Sequence, residues 1–353
     1  MSAGRVRKEI DGALLDFVDR QRPGVLAISD QLAPMLTALD ELLAGGKRLR
    51  PAFCYWGWRA AGGEDIEAAR GIAAAAASLE LLQASALIHD DVMDASDTRR
   101  GQPSVHRRFE AAHREQGWRG GAAPFGEGAA ILLGDLCLAW SAEMFEVSGL
   151  DPESLRRGRR VFDLMRTEVI CGQYLDMLEG ARGAGTVDDA LTVVEYKSAK
   201  YTIERPLHMG AELAGGGPQV VDALRAYGRP LGIAFQLRDD VLGVFGDPTE
   251  TGKPAGDDLR EGKRTVLVAF TLERATPAQA ELVESRLGDP ALDAEGVAQL
   301  RTIIEDTGAL AACEEMIERY TAQARSALQV APIAAEARSA LAELTVAATA
   351  RRV

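Results

Sequence analysis

The chain has 353 residues, 47% of them hydrophobic, and a formal net charge of −13. This composition supports a large apolar core and argues against a general surface for nucleic acid or anionic membranes, so phosphate binding would have to come from local basic groups. The first ten residues lack the apolar segment of a secretion signal, and the apolar runs are shorter than the roughly 18–20 residues of a membrane-spanning helix. Four cysteines without paired spacing predict reduced core thiols in a cytoplasmic protein.

Helical periodicity dominates the sequence. Ala, Leu, Glu and Arg recur, and the alternation of β-branched residues that is typical of strands is scarce. No Ser/Gly-rich or Pro-rich linker separates halves of different composition, so we predict a single all-α domain spanning residues 1–353. The predicted helices cover residues 6–20, 26–44, 48–61, 65–93, 127–148, 152–180, 187–213, 218–245, 262–273, 277–286, 294–306, 308–329 and 333–350.

Two long loops interrupt the predicted helices. Residues 99–126 contain several glycines and prolines and are predicted to form a loop with a short helix inside it. Residues 246–262 form a second loop of similar composition, and no strand hairpin is predicted anywhere. Ordered loops of this length in a compact domain are often lids over a functional site.

Basic residues that could bind phosphate groups are found at four places in the sequence. Lys47, Arg48 and Arg50 stand at the start of a predicted helix, where backbone N–H groups and cations together favour a phosphate group. Each place, taken alone, also fits a solvated surface or a surface salt bridge. The other basic positions are Arg99 and Arg100, then Lys197 on a helix, then Lys253 and Lys263 around the second loop.

An aspartate cluster lies at the end of a predicted apolar helix. Asp90, Asp91 and Asp94, followed by Asp97, come directly after the apolar stretch 81–88. Positions i and i+4 share a helix face and i+1 lies beside them, so the three carboxylates are expected to point into one space. Ionised carboxylates in that setting need a cation to offset their repulsion and desolvation.

A second cluster, Asp239 and Asp240, follows another apolar stretch at residues 231–235. Hard carboxylate oxygens without a nearby set of Cys or His ligands suit Mg²⁺, which keeps waters and is usually shared with substrate phosphates. The sequence therefore predicts a diphosphate held by Mg²⁺ between two aspartate clusters.

Together these motifs resemble the trans-isoprenyl diphosphate synthases, or polyprenyl synthetases, most closely the bacterial members that make geranylgeranyl diphosphate. They occur in family order and at family spacing over roughly residues 40–270. The matching segments are Gly46–Pro51, Asp90–Asp94 with Arg99–Gly101, Gly134–Asp135, Gly172–Gln173 with Asp176, Lys197–Ser198, Gln236 with Asp239–Asp240, Gly252–Lys253, and Lys263.

The resemblance implies an all-α fold of helices around a deep cavity, assembled as a homodimer. It implies Mg²⁺-dependent, head-to-tail condensation of isopentenyl diphosphate with an allylic diphosphate such as dimethylallyl, geranyl or farnesyl diphosphate. Mg²⁺ and basic residues would neutralise the leaving diphosphate, so that the allylic C–O bond ionises and the isopentenyl double bond attacks the cation in an apolar pocket. Neither a nucleic-acid partner nor a membrane-spanning segment is expected.

Carried over by position, the resemblance assigns the site residues in three groups. The Mg²⁺ ligands would be Asp90, Asp94 and Asp239, with Asp91 and Asp240 supporting. Isopentenyl diphosphate would be held by Lys47, Arg50, Gln83 and Arg100. The allylic diphosphate would be bound by Arg99, Lys197, Ser198, Gln236, Lys253 and Lys263. The catalytic residues among these would be Asp90, Asp91, Asp94, Arg99, Lys197, Asp239 and Asp240.

The chain departs from the family pattern at three positions. Gln83 stands where the family more often has His, and Ser198 where it more often has Thr, whose hydroxyl can donate equally well to phosphate. Gly243 replaces the usual third Asp of the second motif, and glycine in a helix costs roughly 1 kcal/mol relative to alanine. We expect metal binding to rest on Asp239 and Asp240, with Asp247 as a partial replacement, so Gly243→Asp would change activity little. Lost activity is the alternative.

Product length is predicted from the helix before the first aspartate cluster. Ser85 and Ala86 are small, where members of the family that make farnesyl diphosphate commonly carry an aromatic residue. A growing prenyl tail could pass them and stop at Leu82, roughly 12 Å from Asp90 along the helix, or at a bulky residue of a neighbouring helix. This predicts geranylgeranyl diphosphate, with farnesyl diphosphate or longer polyprenyl products as alternatives.

Two other functions remain open at this point. A class I terpene cyclase also ionises a prenyl diphosphate at an aspartate cluster, but it needs no second diphosphate site, and its cavity is often rich in cation-stabilising aromatic residues. Only 5% of this chain is aromatic. A non-catalytic partner subunit of an active synthase could keep the same fold.

Overall fold

The computed structural model describes residues 3–64, 66–183, 185–246 and 256–349. Nearly all of them are helical, and the prediction of an all-α fold is confirmed. The first elements are α1 (Ala3–Ile28), a 3₁₀ turn (Asp30–Leu32), α2 (Ala33–Ala44), α3 (Leu49–Ala60), α4 (Ile66–Met93), β1 (Thr98–Arg99), β2 (Gln102–Pro103), α5 (Val105–Glu115), α6 (Ala122–Glu146) and α7 (Pro152–Arg182). They are followed by α8 (Val187–Val193), a π-helical segment (Val194–Glu204), α9 (Arg205–Leu213), α10 (Pro218–Phe245), α11 (Asp257–Glu261), α12 (Val266–Arg274), α13 (Pro277–Arg286), α14 (Ala294–Asp306), α15 (Ala309–Val330) and α16 (Ala335–Thr349).

The chain groups into two compact units. Unit 1 comprises Met1–Tyr55 and Gly63–Arg156, and unit 2 comprises Trp56–Gly62 and Arg157–Val353. Each has its own buried apolar side chains. The prediction of a single domain over residues 1–353 stays a prediction.

Unit 1 is organised by α4, which packs against α1 and α6, while α5 covers α6. Alanines at 73, 75, 76 and 77 are buried in α4 and let neighbouring helices approach closely. On α6, an ideal Cβ at Gly134 would lie 2.1 Å from His89 Nε2, so the imidazole ring packs directly against the backbone of α6. This contact fixes the end of α4 that carries the first aspartate cluster.

Two helices of unit 1 are long and apolar enough to cross a membrane by length and composition alone. These are Ala69–Met93 and Ala122–Glu146, and their most apolar windows are 78% and 44% buried inside the protein. A core helix of a water-soluble protein passes the same test, and the first helix is mostly covered by its neighbours. The absence of a membrane-spanning segment stays a prediction.

Unit 2 is organised by α10, which contacts the π-helical segment, α12 and α15. Two glycines make the approach to the π-helical segment possible. An ideal Cβ at Gly172 of α7 would lie 2.4 Å from Lys197 N, and one at Gly232 of α10 would lie 2.6 Å from Ala199 Cα. Residues 197–199 are therefore closely packed between α7 and α10.

A buried ionic cluster follows the π-helical segment. Arg205 pairs through two nitrogens with Glu168, at 2.6 and 2.8 Å, and donates to His208 Nδ1 at 3.2 Å. His208 and Glu204 are almost fully buried. Burial, followed by the charges of Arg205 and Arg225, lowers the pKa of His208 to about 3, so His208 is neutral in the folded protein at neutral pH.

This burial predicts a stability that depends on pH. Between pH 6.5 and 3 the unfolded chain binds a proton at His208 and the folded chain does not, so stability is fully present above pH 6.5 and is lost on acidification. We expect His208→Asn to remove up to about 1.4 kcal/mol per pH unit from the pH dependence near pH 5–6. Urea unfolding of both proteins from pH 5 to 8 measures this, and parallel pH profiles would contradict it.

The structure corrects several predictions of detail. A short hairpin pairs Thr98 with Pro103, where no hairpin was predicted. The first helix continues through Pro23 to Ile28, and the break lies at Ser29, whose extended backbone and side chain cap the next turn. The helix predicted at 262–273 begins at Val266, because Thr265 is extended and its side chain caps the helix by accepting a hydrogen bond from Val268 N.

The cysteine prediction is partly wrong. Cys54, Cys137 and Cys313 are buried free thiols, as predicted, whereas Cys171 on α7 is an exposed free thiol.

Candidate active site

The first aspartate cluster is tied to Arg99. Arg99 Nε donates to Asp91 Oδ1 at 2.9 Å, and Arg99 Nη2 lies 3.5 Å from Asp90 Oδ2. The Asp91 side chain is only 3% exposed, whereas that of Asp90 is 17% exposed. Asp94 continues the helical turn, since its N–H donates to Asp90 O at 2.8 Å. Asp90, Asp91 and Arg99 thus lie together as predicted, with Asp90 the more accessible carboxylate of the pair.

The three cations of the basic turn at the start of α3 differ in their surroundings. Arg48, at a positive φ of 56°, is buried and donates to Asp11 Oδ1 and Glu80 Oε2, both at 2.7 Å. It also donates to the carbonyls of residues 43 and 45 and so closes the turn. Lys47 is exposed and Arg50 is half-buried. Arg48 is therefore a structural cation, which spacing alone did not distinguish from its neighbours.

Arg100 lines a small cleft beside this turn. Its guanidinium crosses Gly45, where an ideal Cβ would lie 2.9 Å from Nη1, and it donates to Leu42 O at 2.8 Å. Desolvation first, and then the nearby cations, lower the pKa of Arg100, although Glu80 acts in the opposite direction. An anion in the cleft would relieve this repulsion.

Gln83 contributes an amide to the same cleft. Its Oε1 is buried and has no hydrogen-bond partner among the described residues. A side-chain amide can present either its oxygen or its NH₂ group. The amide is therefore available to a polar ligand in a cleft that also holds Arg100.

On α4, every fourth residue from Asp90 back to Ser78 lies on one face of the helix, and the accessible row on this face leads away from the aspartate cluster. Asp90 and Ala86 are partly exposed, whereas Leu82 and Ser78, one and two turns further, are buried. Ser85 lies beside the row and is only 3% exposed. The small residue at 86 thus lies on the accessible row, and Leu82 is the first fully covered side chain below it.

In unit 2, Lys197 and Ser198 lie in the π-helical segment. Such segments are rare and frequently occur at functional sites. Lys197 Nζ is 2.5 Å from Asp176 Oδ2 on α7, and Ser198 is buried. The Nε2 of Gln173 is also buried, without a hydrogen-bond partner in the described part of the chain. The structure therefore brings together the predicted residues 172–176 and 197–198.

The second aspartate cluster lies near the end of α10. Gln236 Nε2 donates to Asp240 Oδ1 at 2.7 Å. Burial, followed by Asp258 and Asp239, raises the pKa of Asp240 to about 8, against the hydrogen bond from Gln236 and the charge of Lys263. A cation bound here would favour the ionised carboxylate.

Lys263 faces acidic groups of the same unit. Its Nζ lies 2.6 Å from Glu261 Oε2 and 3.5 Å from Asp258 Oδ1. Asp258 was not among the predicted site residues, although its position between Gly256 and Lys263, in a loop predicted to be functional, was a usable signal. The predicted residues Lys253 and Asp247 lie outside the described residues.

Comparisons with known proteins give a consistent result. The family model for polyprenyl synthetase matches residues 33–305. A geranylfarnesyl diphosphate synthase of Aeropyrum pernix is 36% identical over 298 residues, which are 84% of this chain and 86% of that protein. A geranylgeranyl diphosphate synthase of Methanosarcina mazei is 32% identical over 325 residues, 90% of this chain and 92% of that protein. A geranylgeranyl pyrophosphate synthase of Corynebacterium glutamicum, crystallised with isoprenyl diphosphate and magnesium, is 43% identical with a TM-score of 0.96, covering 100% of both chains.

Proposed function

The chain belongs to the polyprenyl synthetase family, and from that premise we propose that it is a Mg²⁺-dependent geranylgeranyl diphosphate synthase. It condenses isopentenyl diphosphate head-to-tail with dimethylallyl, geranyl or farnesyl diphosphate. One observation carries the proposal: unit 1 combines the carboxylates of Asp90 and Asp91 with a separate cleft lined by Arg100 and Gln83. A condensation of two diphosphates requires two such sites.

The donor set fits Mg²⁺. Among the residues that the structure describes, no three His, Cys, Asp or Glu side chains are grouped so as to hold a metal ion by themselves. Mg²⁺ does not need such a group, because it is usually held by one or two carboxylates, several waters and substrate phosphates. The proposed ligands are Asp90, Asp94 and Asp239, supported by Asp91 and Asp240. Bound there, Mg²⁺ would neutralise the leaving diphosphate as a Lewis acid.

Basic and polar residues position the allylic diphosphate. The backbone of Lys197 packs closely against Gly172, and its ammonium is held by Asp176 before the substrate arrives. Arg99 holds Asp91 and keeps the carboxylates of the first cluster oriented. The remaining donors in this proposal are Ser198, Gln236, Lys253 and Lys263.

Isopentenyl diphosphate binds at the basic surface around the cleft of unit 1, which by itself has room for little more than a water molecule. Arg100 and Gln83 line the cleft, Lys47 and Arg50 come from the adjoining turn, and Arg48 fixes that turn. The allylic cation forms next to the apolar side chains of α4, which exclude water. No protein nucleophile takes part, and the released diphosphate accepts the final proton.

Separate diphosphate sites predict different kinetic effects. Lys47→Ala and Arg100→Ala should mainly raise the KM for isopentenyl diphosphate, because they remove cations from its cleft. Lys197→Ala should act on the allylic substrate and lower kcat. Steady-state kinetics with each substrate varied in turn measures this, with the exposed Lys8→Ala as a matched control. Equal effects of all three changes on both substrates would contradict the division into two sites.

The two alternatives differ in what the purified chain does by itself. A class I terpene cyclase would release diphosphate from a prenyl diphosphate without consuming isopentenyl diphosphate, and a non-catalytic subunit would turn over neither. We expect the purified chain to condense farnesyl and isopentenyl diphosphates in the presence of Mg²⁺. Chromatography of the products shows whether condensation occurs and where elongation stops. No consumption of isopentenyl diphosphate would contradict the proposed function.

We also propose a homodimer in the cytoplasm. Ile131 and Leu132 of α6 are exposed, and so are Ile170, Tyr174 and Met177 of α7. Exposed apolar side chains on helices favour burial against a second copy of the chain. Reduced thiols fit the proposed compartment. Light scattering of the purified protein tests the dimer, and a monomer at micromolar concentration would contradict it.

A further inference from the structure

Lys197 lies between two residues that form an ion pair within the π-helical segment, Glu195 and Lys200. Glu195 Oε1 is 3.4 Å from Lys200 Nζ. The two residues are five positions apart, which is the spacing of backbone hydrogen bonds in a π-helix, whereas side chains that meet on an α-helix are three or four positions apart. The ion pair therefore favours the wider turn that contains Lys197.

Neighbouring helices hold both ends of this ion pair. On α7, Glu168 Oε1 is 3.4 Å from Lys200 Nζ, and the Glu168 carboxylate also accepts hydrogen bonds from Arg205 at 2.6 and 2.8 Å. On α10, Arg229 Nη2 donates to Glu195 Oε2 at 2.6 Å. The π-helical segment is thus tied by charge to the two helices that flank it.

Glu168 is the central group of this network. The side chains of Glu168, Lys200 and Arg205 are each 12% exposed. Burial acts to raise the pKa of Glu168, but the hydrogen bond and charge of Arg205 and the charge of Lys200 outweigh it, and the pKa is lowered. Solvent screens buried charges much less than surface charges, so Glu168 is a strong link between α7 and the segment.

The position of Lys197 depends on the form of the segment. Its Nζ lies 2.5 Å from Asp176 Oδ2 of α7. As an α-helix, the segment would lose the extra residue of its wider turn, and a shift of one residue turns a side chain by about 100° around the helix axis. The ammonium of Lys197 would then point away from Asp176.

We propose that Glu168 is a positioning residue for the proposed reaction: through its two cation partners it holds the segment in its π-helical form and so places Lys197 beside the allylic diphosphate. This inference rests on the proposed function, in which Lys197 binds that substrate. π-Helical turns are rare, and one persists only where the surrounding structure favours it. Glu168 touches no substrate itself, because Lys200 and Arg205 occupy its carboxylate.

Steady-state kinetics provide the first test. Glu168→Gln keeps the shape of the side chain and removes its charge. We expect it to lower kcat/KM for farnesyl diphosphate about tenfold or more, because a small displacement of a binding group is costly. The KM for isopentenyl diphosphate should stay within about twofold of the wild-type value. An unchanged kcat/KM for farnesyl diphosphate, or an equal rise in both KM values, would overturn the proposal.

Asp163→Asn is the matched control for this change. Asp163 is a carboxylate of the same helix, but its hydrogen bonds come from Arg159 and Arg166 of α7 itself and not from the π-helical segment. We expect the kinetic constants for both substrates to stay within about twofold of the wild-type values. Losses equal to those of Glu168→Gln would show that any charge removed from α7 has this effect, which would overturn the proposal.

A double-mutant cycle shows whether Glu168 acts through Lys197. Once Lys197 is replaced, Glu168→Gln has no cation left to displace, so in the Lys197→Ala background we expect it to lower kcat/KM less than about twofold. A residue that only supports the fold would cause the same loss in both backgrounds. Additive losses would therefore overturn the proposal.

Hydrogen exchange of the backbone amides tests the clamp without turnover. We expect Glu168→Gln to speed exchange at residues 194–204 about tenfold or more, and Asp163→Asn to leave it unchanged. Unchanged exchange after Glu168→Gln would overturn the role of Glu168, whatever the activity of the chain, and would leave the proposed function standing. A normal rate after Lys197→Ala would contradict the proposed allylic site itself, and this inference with it.

Discussion

Replacement of Asp90 or Asp239 by alanine is expected to lower turnover roughly a thousandfold or more. Each change removes a proposed ligand of the ion that neutralises the leaving diphosphate, and each tenfold loss of rate corresponds to about 1.4 kcal/mol of transition-state stabilisation. Asp90 is only partly buried, and its contact with Arg99 is a long one at 3.5 Å. The change should therefore affect the reaction far more than the fold.

A control for this experiment lies on α10, the helix that carries Asp239. Asp222→Ala removes an exposed carboxylate near the start of α10 and should leave turnover within about twofold of the wild-type value. Circular dichroism should show unchanged helical content in all three variants. Near-normal rates after either Asp90→Ala or Asp239→Ala would remove that residue from the proposed metal site.

Helical periodicity was sufficient to predict the architecture. The predicted helices at 218–245, 277–286 and 294–306 agree with the observed bounds of α10, α13 and α14. The breaks there are encoded locally, by Gly217 before Pro218 and by the side-chain caps Thr276 and Asp293. Where local signals conflicted, as at Pro23, the prediction was wrong, because packing along α1 determines whether the helix continues.

Some roles within the motifs depended on tertiary contacts. The spacing around residues 47–50 indicated three equivalent cations, yet Arg48 is buried by Asp11 and Glu80, two residues far away in sequence. The same holds for Asp258, whose carboxylate lies against Gly243 only because α11 packs against α10. Sequence spacing describes one helix at a time and does not encode such contacts.

The π-helical segment could not be predicted from the sequence either. Residues 187–213 were predicted as one continuous helix, and Lys197 and Ser198 were identified from their motif. The wider turn that positions them depends on the close approach of α7 and α10 at Gly172 and Gly232. In the sequence alone, neither glycine indicates whether the segment that packs against it is π-helical or α-helical.

Product length gives the second large expected effect. Ala86 lies on the accessible row of α4, about 6 Å below Asp90, and Leu82 is the first buried side chain, about 12 Å below it. Ala86→Phe would place a ring across the path of the growing tail. We expect the main product to change from geranylgeranyl diphosphate to farnesyl diphosphate. Ser85→Phe is also expected to block the growing tail. Because Ser85 is buried, however, overpacking there costs about 1–3 kcal/mol of stability.

Two further variants show whether Leu82 is the floor of the path. Leu82→Ala should lengthen the main product, because it opens space below the accessible row, although it costs about 2–5 kcal/mol of stability. Ala74→Phe, on the same helix but beyond Leu82, should leave the product unchanged. Chromatography of the prenyl alcohols after dephosphorylation measures all variants, and a ratio of products does not depend on the fraction of folded enzyme. A wild-type product of fifteen carbons, or an unchanged product from Ala86→Phe, would show that the tail does not follow this face of α4.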